Sequence, residues 1–290
     1  MQRTIKFVLN HPFTKGRPIA ALAKLFKWQL LSRLNKRPVI HQFTKNSKLW
    51  VWKGLTGATG NVYCGLHEFE DMAFLLHLLR PGDLFIDIGA NIGSYTILAS
   101  AEVGAHSIAI EPVPQTFTYL TQNIQLNSIE NKVTVLNIGL GKESGSLTFT
   151  KGFDTGNQVA TAEDTDVINV AVDTLDNILD YQTPLLLKID VEGFETEVLN
   201  GAAHTLASPG LRAIIIELNS AGDKYGFNED DIHQLLISHG FKVAGYLPFK
   251  RELIDATRKT EHNTLYIRDE NFIRSRLNAA GKIYVQGRKI

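Results

Sequence analysis

The chain has 290 residues, 44% of them hydrophobic and 21% charged, which excludes disorder as the dominant state and suffices for a core without metals or disulfides. Its single cysteine, Cys64, rules out an intramolecular disulfide, no apolar run approaches the roughly 20 residues that cross a bilayer, and the start MQRTIKFVLNHPF lacks a secretory h-region, so a cytoplasmic chain is expected. The formal net charge is zero, yet residues 1–50 hold eleven Lys/Arg and no Asp or Glu, against 19 basic and 30 acidic residues in the remaining 240.

In chain order, residues 18–35 place Ile19, Leu22, Phe26 and Leu30 at helical spacing among Lys24, Lys27 and Arg33, which predicts an imperfect amphipathic basic helix. Two readings of it stand: packing on the body or on a second subunit, or peripheral contact with an anionic membrane surface. A nucleic-acid partner is not expected, because the arm carries no binding motif and the body is acidic. A helix follows over about residues 67–80, apolar at Phe69, Met72, Ala73, Leu76 and Leu79 and stopped by Pro81-Gly82.

From there strand and helix alternate. LFIDIG (84–89), SIAIEP (107–112), KVTVLNIG (132–139), LLLKID (185–190) and RAIIIELN (212–219) read as buried strands. GANIGSYTILASAEV, TFTYLTQNIQLN, FETEVLNGAAHTL and DIHQLLISHG read as helices. Continuous apolar strands separated by helices predict an α/β fold whose parallel sheet is covered on both faces. Between Gly139 and Pro184, SLTFT and VINVAV suggest an insertion or edge hairpin placed as a lid, and FKVAGYL (241–247) with NTLYIRD (263–269) predicts a final antiparallel pair. The tail turns basic after Glu270, at Arg274, Arg276, Lys282, Arg288 and Lys289.

Three groups of residues carry chemistry. In FIDIGANIGSYT a strand ends at Asp87 and a loop through Gly89, Asn91 and Gly93 opens a helix. The spacing is not the dinucleotide fingerprint, and Asp87 before the first glycine suits a cationic ligand, or the orienting of a loop that holds one, better than a pyrophosphate. Glu111 ends the next strand, 22 residues after Gly89, at the distance expected of an acid that accepts both ribose hydroxyls. The third group is KIDVEG, where Asp190 and Glu192 stand at the carboxyl end of a central strand, the edge at which open α/β sheets bind ligands; Asp190 must face a charged ligand or pair with Lys188 or a metal.

IDIGANIG, IEP and above all LKIDVEGFETEVLNGA followed by IIIELN resemble the FkbM-type methyltransferase family over about residues 60–270. The resemblance implies a three-layer α/β/α Rossmann-like class I methyltransferase sheet of about seven strands, with the last antiparallel. Residues 1–59 then form a basic, partly helical arm and 271–290 a basic tail. It also implies S-adenosylmethionine as cofactor and a hydroxyl as acceptor, in a carbohydrate, glycolipid or related metabolite. On that basis Asp87, Gly89, Ala90, Asn91 and Gly93 wrap the methionine part, Glu111 takes the ribose, Glu68 reaches the cofactor from above, and Asn137 and Ile138 line the adenine. Asp190 lies near the reactive methyl, and Glu192 and Glu217 flank the acceptor pocket; these three acids lead as catalytic candidates, with His262 as a further candidate base. A divalent metal on Asp190 and Glu192 stays open. So do two rivals: a nicotinamide-dependent oxidoreductase, which Asp87 and Asn91 disfavour, and a non-catalytic binding module, which the retained acids disfavour.

Overall fold

In the computed structural model, which describes residues 2–34, 37–152, 156–258 and 262–290, the chain opens with helices α1 (Gln2–Asn10) and α2 (Pro18–Leu34) and a hairpin of β1 (Val39–Gln42) and β2 (Lys48–Val51). Helices α3 (Thr56–Cys64) and α4 (Phe69–Leu78) lead into β3 (Leu84–Ile88), α5 (Ser94–Ile97), β4 (His106–Ile110), α6 (Pro114–Leu126) and β5 (Val133–Leu136). Three strands form the insertion: β6 (Gly139–Leu140), β7 (Gly145–Thr150) and β8 (Val167–Asp173). The alternation then resumes with α7 (Leu175–Leu179), β9 (Leu186–Ile189), α8 (Glu195–Asn200), α9 (Ala203–Ala207), β10 (Ala213–Leu218), α10 (Glu229–Ser238) and β11 (Lys242–Leu247). Last come β12 (Glu252–Asp255), β13 (His262–Ile267), α11 (Glu270–Asn278) and the hairpin β14 (Tyr284–Val285) and β15 (Arg288–Lys289).

The main sheet runs β12-β11-β13-β10-β9-β3-β4-β5. It has eight strands where about seven are expected, because β12 adds to the outer edge by antiparallel pairing with β11. β5, β4, β3, β9 and β10 are parallel, and β13 inserts antiparallel between β10 and β11, pairing as the sequence predicts. Along each central strand the side chains alternate between two cores. Phe85, Leu186, Ala213 and Ile215 join one cluster with α4, α5 and the N-terminal helices, while Ile86, Ile88, Leu187, Ile189, Ile214 and Ile216 join the cluster under α8 to α10. Near-continuous apolar strands of this kind are the mark of a sheet covered on both faces.

Several local features depart from expectation. The helix expected after Asn91 is a short α5 continued by a π-helical segment, Leu98–Val103. The helix through FETEVLNGAAHTL divides into α8 and α9 at Gly201-Ala202, where a Cβ on Gly201 would lie 2.1 Å from the Gly141 carbonyl oxygen. The arm contains a hairpin that no periodicity announces. Its β2 amides are satisfied from outside the hairpin, Lys48 N by Asn127 Oδ1 and Trp50 N by Asn123 Oδ1, both at 2.8 Å. Helix α2 forms as expected, but Ala21, Leu25 and Ser32 face the core, while Ile19, Phe26 and Leu30 face outward. Core packing runs through the whole chain: Val8, Phe43 and Leu49 share one cluster with Phe85, Ile273 and Val285. Among the described residues no helix is long and apolar enough to cross a membrane.

The carboxyl ends of β3 and β9 approach so closely that Gly89, at φ +75°, leaves no room for a side chain: a Cβ there would fall 1.8 Å from the Asp190 carbonyl oxygen. Gly89→Ala is therefore expected to destabilise the fold by about 3 kcal/mol or more. Gly145→Ala, at a site with nothing within 4 Å, should stay within about 0.5 kcal/mol. Urea unfolding of both variants checks the contrast, and equal midpoints would contradict it.

Candidate active site

A cavity of about 290 Å³ opens at the carboxyl edge of β3, β4, β9 and β10. Its floor is the β3–α5 loop. Gly89 N and Ala90 N both donate to Ile110 O at 3.0 Å, which folds the loop over the end of β4. Asn91 N donates to Glu111 Oε2 at 3.0 Å and Val113 N to Glu111 Oε1 at 2.9 Å, so the Glu111 carboxylate is fixed between two backbone amides. Asp87 turns toward the start of the helix, where Oδ2 accepts from Thr96 N at 2.9 Å and Thr96 Oγ1 at 2.6 Å. Burial raises Glu111 to about 7 and Asp87 to about 6; the amide bonds, and for Asp87 the Thr96 bonds and Lys188, hold both lower than burial alone would.

Beside this loop a buried cation organises the site. Lys188, on β9, is 2% exposed. Its Nζ donates to Asp190 Oδ2 at 3.0 Å and to Asn263 Oδ1 at 3.1 Å, and lies 5.5 Å from the centre of the Tyr95 ring. Burial works against its charge, but Asp190 and Glu68 outweigh that and hold the amine above its ordinary range. The Asn263 amide continues to Asp71 Oδ2 at 3.3 Å, and Tyr95 OH donates to Glu68 Oε2 at 2.6 Å.

At the ends of β9 and β10 Asp190, Glu192 and Glu217 each present a carboxylate oxygen within 4.8 Å of the others, an arrangement that suits a hydroxyl acceptor or a divalent cation. Burial and the Asp190 charge raise Glu192 to about 7 and lift Glu217 well above the usual range. Glu192 is held at φ +55° in a loop fastened by buried Glu195, whose Oε1 accepts from Val191 N and Gly193 N at 3.2 Å. The insertion forms a separate sheet, β6-β8-β7, and lays Phe149, Asn157 and Val159 over the cavity. Phe194 adds an aromatic wall continued by Tyr225 and Phe227, with ring centroids 5.7 and 5.9 Å away.

Of the residues singled out from sequence, Glu68, Asp87, Gly89, Ala90, Asn91, Glu111, Ile138, Asp190, Glu192 and Glu217 all line this one cavity. Gly93 does not; it caps α5 in the left-handed conformation. Asn137 also lies off the cavity wall, its amide bracing the turn through Glu111 O at 2.8 Å and Pro112 O at 3.0 Å. His262 begins β13, and its side chain lies outside the described residues. Sequence reasoning missed Tyr95, Phe149, Asn157, Val159 and Phe194 as wall residues, and Glu195 as the group that sets the acidic loop. Only Glu195 left a signal, as an acid three residues after Glu192 at the start of a helix.

Residues 87–243 match the family model of the methyltransferase FkbM domain. The chain is similar to the hexuronic acid methyltransferase AglP of Haloferax volcanii, with 30% identity over 172 residues that cover 58% of this chain and 67% of AglP. It is 29% identical over 213 residues to the 31-O-demethyl-FK506 methyltransferase FkbM of Streptomyces tacrolimicus, covering 60% of this chain and 79% of that protein. Among solved structures, methyltransferase FkbM from Methylobacillus flagellatus KT aligns with 72% of this chain at 19% identity and a TM-score of 0.47, and the chain spans about half, 52%, of its length.

Glu111 keeps its proton to higher pH when folded than when unfolded. Its contribution to stability is therefore complete below its unfolded value of about 4.5 and is lost as pH rises through about 7. Half-buried His41 and buried His77, both lowered to about 4 by loss of solvation, pull the other way as pH falls. The readout is thus a difference: from about pH 5 to about pH 8 the wild type should lose stability relative to Glu111→Gln in urea unfolding. A gap that stays constant, or moves in favour of the wild type, would refute the assignment.

Proposed function

The chain belongs to the methyltransferase FkbM family, and on that premise we propose that it transfers a methyl group from S-adenosylmethionine to a hydroxyl of a carbohydrate or glycolipid. Family membership decides for methyl transfer over hydride transfer. One observation carries the finer reading: a single cavity holds two buried carboxylates beside the glycine loop and three more at the ends of β9 and β10, under an aromatic lid. The donor set fits the cofactor. Each oxygen of Glu111 accepts one backbone amide and keeps a lone pair for a ribose hydroxyl. Asp87, Glu68 and Asp190 supply the negative potential that a sulfonium requires. Ala90, Asn91 and Ile138 complete the cofactor side, and residues 60–270 carry the transfer, flanked by the arm and the tail.

The cofactor, when bound, supplies a methyl group already attached to a positively charged leaving group. The chain's own work is to align an acceptor oxygen, exclude water and take up a proton. Lys188 keeps Asp190 in one orientation at the cavity wall. Glu192, raised to about 7, has the affinity suited to accepting the acceptor's proton near neutral pH. Glu217, lifted further, serves as a hydrogen-bond donor to the same substrate. Phe149, Val159 and Phe194 close the cavity against water, and the two phenylalanine rings offer apolar surface to a sugar. Three carboxylates at this wall favour an uncharged ring over a carboxylated one.

Calorimetric titration tests the cofactor. S-adenosylmethionine and S-adenosylhomocysteine should bind, NAD should not, and Glu111→Ala and Asp87→Ala should each weaken binding about tenfold or more. Glu192→Gln should leave cofactor affinity within about twofold and lower kcat by about 100-fold, with methyl glucoside preferred to methyl glucuronide in an assay of S-adenosylhomocysteine release. A folded protein that binds none of the three ligands would overturn the proposal.

A further inference from the structure

Helix α2 is apolar on two opposite faces, and only one is covered. Ala21 and Leu25 are buried in the core, with Leu22 and Trp28 packed at its margin. Diametrically opposite, Ile19, Phe26, Leu30 and Leu34 recur at helical spacing and stand in solvent; Ile19 is 84% and Leu34 76% exposed. Phe7, Leu31 and Ile40 are exposed in the same part of the chain. Seven of the twelve exposed large hydrophobic side chains among the described residues thus lie between residues 7 and 40, a concentration that marks an interaction surface.

The charges identify the partner. On the helical wheel Lys27 and Arg33 flank the ridge on either side, both exposed, and Lys15, Arg17 and Lys24 lie nearby, also exposed. No acidic residue occurs anywhere in residues 1–50. A second copy docked ridge to ridge would bring these cations together, as a two-fold interface requires the same patch on both subunits. An apolar ridge edged by cations is instead complementary to a surface with an apolar interior and anionic headgroups.

We propose that α2 docks this chain on an anionic phospholipid bilayer, with Ile19, Phe26, Leu30 and Leu34 at the acyl boundary and Lys27 and Arg33 on the headgroups. The helix lies on the membrane and does not span it, in keeping with its length and composition. One helix separates it from the cavity. Gln29 Nε2 of α2 donates to Tyr63 OH of α3 at 3.1 Å, and Asn61 Nδ2 of α3 donates to Ser94 Oγ on the cavity wall at 3.1 Å. Docking therefore holds the cavity wall at Ser94 about two helix diameters, some 20 Å, from the lipid layer. The inference does not depend on which acceptor is methylated.

Co-sedimentation of the full chain with phosphatidylcholine vesicles, with and without phosphatidylglycerol, tests it. Binding should be about tenfold or more tighter to the anionic vesicles and weaken with salt. Phe26→Ser/Leu30→Ser and Lys27→Glu/Arg33→Glu should each reduce it about tenfold, while thermal unfolding and cofactor titration stay at wild-type values, since these side chains contact neither core nor cavity. Equal binding to neutral and anionic vesicles, binding retained in both double variants, or no binding would overturn it. So would a wild-type dimer, seen by analytical ultracentrifugation, that Phe26→Ser/Leu30→Ser dissociates, because the ridge would then belong to a second copy.

Discussion

A single buried ammonium group sets the terms for the site. Stripping water from an amine costs several kcal/mol, and the cost is offset only if every donor finds an acceptor and the charge finds its opposite. Lys188 meets both conditions by drawing Asp190 from its own strand, Asn263 from β13 and the face of Tyr95 from α5 to one point. Those partners recruit others: Asn263 holds Asp71, and Tyr95 holds Glu68, both on or beside α4. The antiparallel strand, the preceding helix and the glycine loop are thereby referred to one charge. A cavity so rich in carboxylates is tolerable because that charge sits at its base.

The same crowding joins the two halves of the cavity. Gly89 belongs to the glycine loop and Asp190 to the acidic cluster, and their backbones are in direct contact. Asp190 N donates to Ile88 O at 3.0 Å, which fixes the register of the two strand ends. Gly193 repeats the arrangement further along, where the Ala221 carbonyl oxygen would lie 2.5 Å from a Cβ. Rigid contacts of this kind fix the two sides of the cavity relative to one another.

What was legible in sequence follows the strength of local periodicity. The five parallel strands announce themselves as apolar runs because both faces are buried, and the acids at their ends stand out against those runs. The hairpin of β1 and β2 was not legible, since its edge amides are satisfied by Asn123 and Asn127, about 75 residues away. The outward face of α2 could be read two ways because Ile19, Phe26 and Leu30 have the spacing of a core face. Only the packing of Ala21 and Leu25 reveals which side the body covers. Asn137 looked like a wall residue from its place at a strand end, but its amide is consumed by backbone carbonyls. The insertion was legible as a lid, but its contact residues were not: Phe149 and Val159 reach the cavity through the pairing of a small sheet, which leaves no mark in the spacing of either residue.

That small sheet carries a core of its own, made by Phe149, Val159, Val170 and Val172. It departs from the chain after β5 and returns before β9, so it interrupts neither the glycine loop nor the Lys188 network. Its outer end is fastened by Tyr225, whose hydroxyl donates to Val159 O. An evolving lineage can therefore rewrite this cassette, in length or in the residues it lowers over the opening, and change which molecules are admitted while the cavity floor beneath is left unaltered.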